Sequence, residues 1–158
     1  MRRILSLDLS LSSPGFSVLE VEGRTPRLLH VSHRKTNPNQ SHGGRLEDIR
    51  MELSDVYAKY KPFDAIVRER GFSAHAATTQ ALFKVVGVTE WYLRGHKIEE
   101  IPPTTVKKIL TGDGKASKSD VAEAVKRYIG DYTFKTDDES DAVGVGIAYL
   151  MREGLIDA

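Results

Sequence analysis

The chain has 158 residues, enough for a single domain with a real core and too few for two ordinary ones. With 23 basic against 22 acidic residues its formal net charge is +1, so a nucleic-acid partner has to be held by local patches and not by overall charge. There is no cysteine, which excludes disulfides and thiolate zinc sites, and the five histidines lack close metal-ligand spacing. Met1-Arg2-Arg3-Ile4 opens no long apolar stretch, and no segment reaches the length of a membrane span, so the expectation is a cytoplasmic protein.

The first element is a strand over 4–10, with Leu5, Leu7 and Leu9 on one face and Ser6, Asp8 and Ser10 on the other. Ser12-Ser13-Pro14-Gly15 is a turn signal, and strands over 16–21 and 28–36 follow, separated by the turn 22–26. Three strands on short turns make an antiparallel meander. Residues 37–44 read as a mobile polar loop containing His42, and 45–60 as a helix with Leu46, Ile49, Leu53, Val56, Tyr57 and Tyr60 on one side. A fourth strand over 63–69 ends at Glu69. The helix before it is a crossover, so this strand lies parallel to the first.

Residues 71–77, with His75, form a connection to a long helix over 78–94. That helix is apolar on more than one face, which predicts deep burial or cover from another subunit. A short strand over 97–101, a helix over 104–110, a glycine-containing loop over 111–116 and a helix over 119–129 come next. Thr136 with Glu139 three residues on is a capping-box pattern opening a last helix that runs to about Arg152. The whole reads as one α/β domain built on a mixed five-stranded sheet.

Taken singly, each acid has a structural explanation. Asp8 can bond to neighbouring backbone, Glu69 can pair with Arg68 or Arg70, and Asp137, Asp138, Glu139 and Asp141 offset a helix macrodipole. Taken together, Asp8, Glu69, Asp138 and Asp141 fall where two parallel strands and the start of an apolar helix could bring them into one cluster. Four carboxylates so placed cannot all stay ionised without cations, and Mg2+ suits hard oxygen donors. Two such ions can activate water and stabilise the leaving oxygen of a phosphodiester. Lys107, Lys108, Lys115 and Lys118 fall near one loop, which is either an ordinary solvated surface or a phosphate clamp. Phe72, three residues after Glu69, is either a buried ring or one that stacks on an unpaired base; Arg70 and Arg68 either touch phosphates or pair with nearby acids.

In this order and spacing the sequence resembles the RuvC-type Holliday-junction resolvases of the RNase H-like superfamily. The carriers are Leu5-Ser6-Leu7-Asp8, Glu69 followed by Phe72, Val106-Lys107 through Gly112-Asp113-Gly114-Lys115-Ala116-Ser117-Lys118, and Asp138-Glu139-Ser140-Asp141-Ala142. The resemblance implies an RNase H-like fold with helices on both faces of the sheet. It implies metal-binding acids at Asp8, Glu69, Asp138 and Asp141, functional lysines at Lys107 and Lys118, and a base-stacking Phe72. It also implies a homodimer that cuts four-way DNA junctions with two Mg2+ or Mn2+ ions per site and leaves 5′-phosphates. Glu139 and Ser140 depart from the small residues usual between the late acids, and Gly144 and Gly146 from a more alanine-rich helix. These departures bear on substrate range, since divergent members cut other branched DNAs. Two other readings are an actin-like or sugar-kinase-like phosphotransferase, which shares the sheet topology, and a non-catalytic binder of branched DNA. The first normally needs two such domains; clustered acids give the second no advantage near phosphates.

Overall fold

Apolar residues interleaved with serines and charged residues mark the first part of the chain, which forms three antiparallel strands: β1 (Arg2–Asp8), β2 (Gly15–Glu22) and β3 (Thr25–His33). The computed structural model describes residues 2–71 and 75–157. Helix α1 (His42–Tyr60) carries the chain across to β4 (Ala65–Glu69), and α2 (Ala76–Tyr92) leads to β5 (Ile98–Ile101). Both later strands are parallel to β1, as the crossover reading requires, and the sheet order is β3-β2-β1-β4-β5. Three helices close the chain: α3 (Pro103–Thr111), α4 (Lys118–Ile129) and α5 (Asp137–Arg152).

Alternation along the strands builds two cores. Leu5, Leu7, Phe16, Val18 and Ile66 pack against Ile49 and Leu53 of α1 and Val85 of α2. Ile4, Leu19, Val67 and Ile101 pack against Val106 of α3, Val125 of α4 and Val145 and Ile147 of α5. The sheet therefore has helices on both faces, which is the expected fold class. No described helix is long and apolar enough to cross a membrane.

Helix α5 rests on β1 and β2 at close range, and Gly146 is the reason. An added Cβ at Gly146 would stand 2.6 Å from Leu19 Cδ1 and 2.7 Å from Ser6 Oγ. Ser6 pairs in register with Ser17, and the two hydroxyls bond to each other beneath the helix. Small residues on both sides set the depth at which α5 lies. Two glycines cost a helix roughly 1 kcal/mol each, whereas burying Val143, Val145, Ile147 and Leu150 contributes about 1.5–3 kcal/mol apiece. Packing wins: Gly146 is the seating contact on the sheet, and Gly144 faces Leu110 of α3 and Val121 and Val125 of α4.

Several boundaries differ from the sequence reading: β3 covers Thr25–His33 and not 28–36, so part of the expected turn over 22–26 is strand, and α2 covers Ala76–Tyr92 and not 78–94. Helix α1 starts at His42, three residues early, because Ser41 caps it by accepting from Gly44 N at 3.1 Å. His42 is thus helical and not a loop residue. Strand β1 ends at Asp8 and not at Ser10. At α5, Thr136 Oγ1 accepts from Glu139 N, but the Glu139 carboxylate does not return to Thr136; only half of the expected capping box forms. The full box is at α4, between Ser117 and Asp120.

Candidate active site

Asp8 is the last residue of β1 and Glu69 the last of β4. Both ends point the same way, since the strands are parallel, and both side chains fall on the α5 face by alternation with Ile4, Ser6 and Val67. The carboxyl ends of parallel strands are where open α/β sheets present functional groups. The start of α5 supplies Asp138 in its first turn and Asp141 at i+3, on one side of the helix. Gly15 brings that turn close: it pairs with Asp8 in register, and a Cβ on it would meet the Asp138 carbonyl oxygen at 2.1 Å. Only glycine lets the helix start sit directly over the end of β1.

The result is a cavity of about 290 Å3 lined by Asp8, Ser10, Glu69, Asp138, Asp141, Lys107 and Lys118, with Pro103, Val106 and Val121 beside them. Larger hollows exist, such as one of about 590 Å3 between α1 and the end of α2, but size does not mark the site; the gathered donors do. Burial pushes the Asp8 carboxyl well above the usual carboxylate range, and the charges of Asp141, Glu69 and Asp138 push it further. Glu69 is pushed up to about 7 by burial and by Asp141, against the pull of Lys107 and Lys118. Asp141 is raised by burial, although Lys118 Nζ stands 3.5 Å from its Oδ2. The Lys118 ammonium is raised in turn, first by Asp141. The cavity therefore holds more negative charge than its two lysines neutralise.

Among the described residues no three acidic or histidine side chains converge closely enough to hold one ion as they stand. The donor set nonetheless fits a hard cation. It consists of carboxylate oxygens facing a common space, with their charge disfavoured until a counter-charge arrives.

Other sequence candidates lie apart from the cavity wall. Lys108 and Lys115 are exposed on α3 and the following loop. Arg68 and Arg70 do not pair with the Glu69 carboxylate: Glu100 of β5 takes both, at 2.7 and 2.9 Å, one on each oxygen. Alternation is the cause, since Glu69 faces α5 while its two neighbours face the opposite side, where Glu100 stands in register with Arg68. Phe72 lies outside the described residues. His42 accepts from Lys84 Nζ at 2.8 Å, and His75 stands at the N-cap of α2. One residue of the cavity and one beside it escaped the sequence reading as participants. Ser10 lines the cavity, and its place on the Asp8 face was the signal for it. Glu139 is 3% exposed and bonded to His33, a contact across 106 positions that no local pattern marks.

A five-stranded mixed sheet with acids at the ends of β1 and β4 and at the start of the last helix is an RNase H-like architecture of the resolvase kind. The family model described as crossover junction endodeoxyribonuclease RuvC matches residues 4–149, and the chain belongs to that family. It is 31% identical over 155 residues to the RuvC of Prochlorococcus marinus subsp. pastoris, covering 96% of this chain and 98% of that one. It is 34% identical over 148 residues to the RuvC of Synechococcus sp. strain WH7803, covering 92% and 96%. The structure of T. thermophilus RuvC in complex with Holliday junction substrate superposes with a TM-score of 0.87 at 23% identity, over 98% of both chains.

Proposed function

We propose that this chain is a metal-dependent endodeoxyribonuclease that resolves four-way DNA junctions, a single nuclease domain acting on DNA inside the cell. The observation that carries the reading is the meeting of Asp8, Glu69, Asp138, Asp141, Lys107 and Lys118 around one cavity, in a chain of the RuvC family. A T. thermophilus relative of the same fold was solved with such a junction, which supports the substrate class.

Asp8, Glu69, Asp138 and Asp141 would hold two Mg2+ ions, with Mn2+ as a substitute. Bound there, divalent ions supply activation of a water and stabilisation of charge at the departing 3′-oxygen, which leaves a 5′-phosphate. The chain's own part is to collect and orient. Asp8 and Glu69 are fixed on neighbouring strands, so their separation is set by sheet spacing and not by flexible loops. Lys118 is the first residue of α4 and meets a phosphate where the helix N-terminus also favours an anion. Lys107 flanks it on α3. Together they hold the scissile phosphate and offset charge growing on its oxygens. Lys108, Lys115 and Arg70 lie further out, where they would follow the DNA backbone, and Phe72 would stack on an unpaired base at the branch.

The described residues form one such cavity, and resolving a junction takes two cuts, so the working unit is a C2 homodimer. The α2 face supports this: Phe83 and Trp91 are 57% and 58% exposed, two turns apart, with Gly87 between them open to close approach.

The test compares wild type with Asp8→Asn on a synthetic four-way junction. The variant is expected to bind the junction with unchanged affinity and to cut it a hundredfold or more slowly, since even outer partners of a metal ion are worth about 10–100-fold. Equal cutting by both removes Asp8 from the chemistry. ATP turnover without DNA would instead mark the chain as a phosphotransferase.

A further inference from the structure

We infer that Glu139 and His33 form a brace that positions Asp138 and Asp141 for metal binding. This rests on the metal reading above and extends it to two residues outside the cavity wall.

Glu139 sits between the two late acids, yet it points away from them. Its Oε2 accepts from His33 Nδ1 at 2.8 Å and its Oε1 accepts from Lys135 N at 2.9 Å, so both oxygens are engaged. An ionised carboxylate only accepts, which places the proton on Nδ1. His33 is the last residue of β3 and pairs with Gly15, which pairs with Asp8. Asp8, Gly15 and His33 thus form one row across three strands. The α5 start meets this row twice, through the Asp138 backbone over Gly15 and through the Glu139 side chain on His33.

Two attachments fix both the position and the rotation of a helical turn, where one would leave it free to pivot. The turn needs fixing, because Asp138 and Asp141 bring negative charge towards Asp8, and Asp141 towards Glu69, before any cation arrives. Repulsion favours lifting the helix start, and the brace opposes it. A small residue at this position would leave His33 and Lys135 N without these bonds and the turn seated on Gly15 alone.

The experiment measures Mn2+ uptake by the DNA-free protein, from the loss of the free Mn2+ signal in electron paramagnetic resonance, for wild type, Glu139→Ala, Glu139→Gln, His33→Ala, the double alanine variant and Asp8→Asn. Melting in chelator is followed in parallel. Glu139→Ala is expected to bind Mn2+ about tenfold more weakly, the scale of losing an outer partner of a metal ligand. Glu139→Gln keeps an oxygen to accept from Lys135 N and an NH2 to donate to His33 Nδ1 once the ring carries its proton on Nε2, and is expected to stay close to wild type. The double variant should be no weaker than Glu139→Ala, because both changes break one contact. Junction cutting should need more Mn2+ in Glu139→Ala and reach a near wild-type rate at saturation. Unchanged Mn2+ affinity in Glu139→Ala, a Gln variant as weak as Ala, or additive losses in the double variant would overturn the brace. Should Glu139→Ala fail to fold, His33→Ala decides: wild-type Mn2+ affinity in that variant also overturns it. Equal Mn2+ uptake by wild type and Asp8→Asn would sink the metal site itself, and the brace with it.

Discussion

Glu69 is the residue through which crowding in the cavity becomes measurable. Its carboxyl titrates at about 7 instead of the ordinary 4.5, because burial and Asp141 both disfavour its charge. Below about 4.5 it is protonated whether the chain is folded or unfolded. Between 4.5 and about 7 the folded chain keeps a proton that the unfolded chain has released, so stability falls as pH rises through that window and levels off above it. The metal-free protein should therefore melt lower at about pH 8 than at about pH 5. Glu69→Gln should flatten that difference by at least about 2–4 °C, the shift that 1 kcal/mol produces in a domain of this size. Millimolar Mg2+ should raise the melting temperature more at the higher pH. Thermal melts in chelator and in Mg2+ check all three. A Glu69→Gln profile as steep as wild type would show that this carboxyl is not under strain.

Among the elements, α5 carries the most, since it supplies two acids of the cavity and packs against four strands. Its two glycines make opposite predictions. At Gly146 a methyl group would press on Ser6 and Leu19 across the sheet, so Gly146→Ala should destabilise by about 1–2 kcal/mol despite the gain in helix propensity. At Gly144 a methyl group would meet only side-chain ends, Leu110 Cδ1 at 3.2 Å, Val121 Cγ1 at 3.4 Å and Val125 Cγ2 at 3.6 Å, while the helix gains about 1 kcal/mol of propensity, so Gly144→Ala should be neutral or slightly stabilising. Denaturant unfolding separates the two. Elements whose signal is periodic were legible in the sequence: all five strands, the crossover, and the helices of both layers. Signals made by contact across the fold were not. The start of α1 was hidden by Gly43 and Gly44, which read as loop until Ser41 is seen to cap them. The sharing of Glu100 by Arg68 and Arg70 depends on the β4–β5 register, which no single strand encodes. Glu139 read as one more first-turn acid because its partner His33 lies on another strand.

For the molecule as a whole, the uncovered side of α2 and the one acid-lined cavity among the described residues lead to the same expectation. Phe83→Glu with Trp91→Glu should convert a dimer to a monomer in sedimentation at micromolar concentration, and should reduce paired cutting of a junction to isolated nicks. A wild-type monomer at that concentration would count against the paired-site account. The cavity itself exists only in the complete fold, since its acids come from β1, β4 and α5 and are separated by up to 133 positions along the chain. The most direct measurement is a crystal soaked in Mn2+, with anomalous scattering used to locate the ions. The account predicts peaks among Asp8, Glu69, Asp138 and Asp141, lost in Asp8→Asn. Well-ordered crystals with no peak in that cavity at saturating Mn2+, or the same peaks in Asp8→Asn, would contradict it.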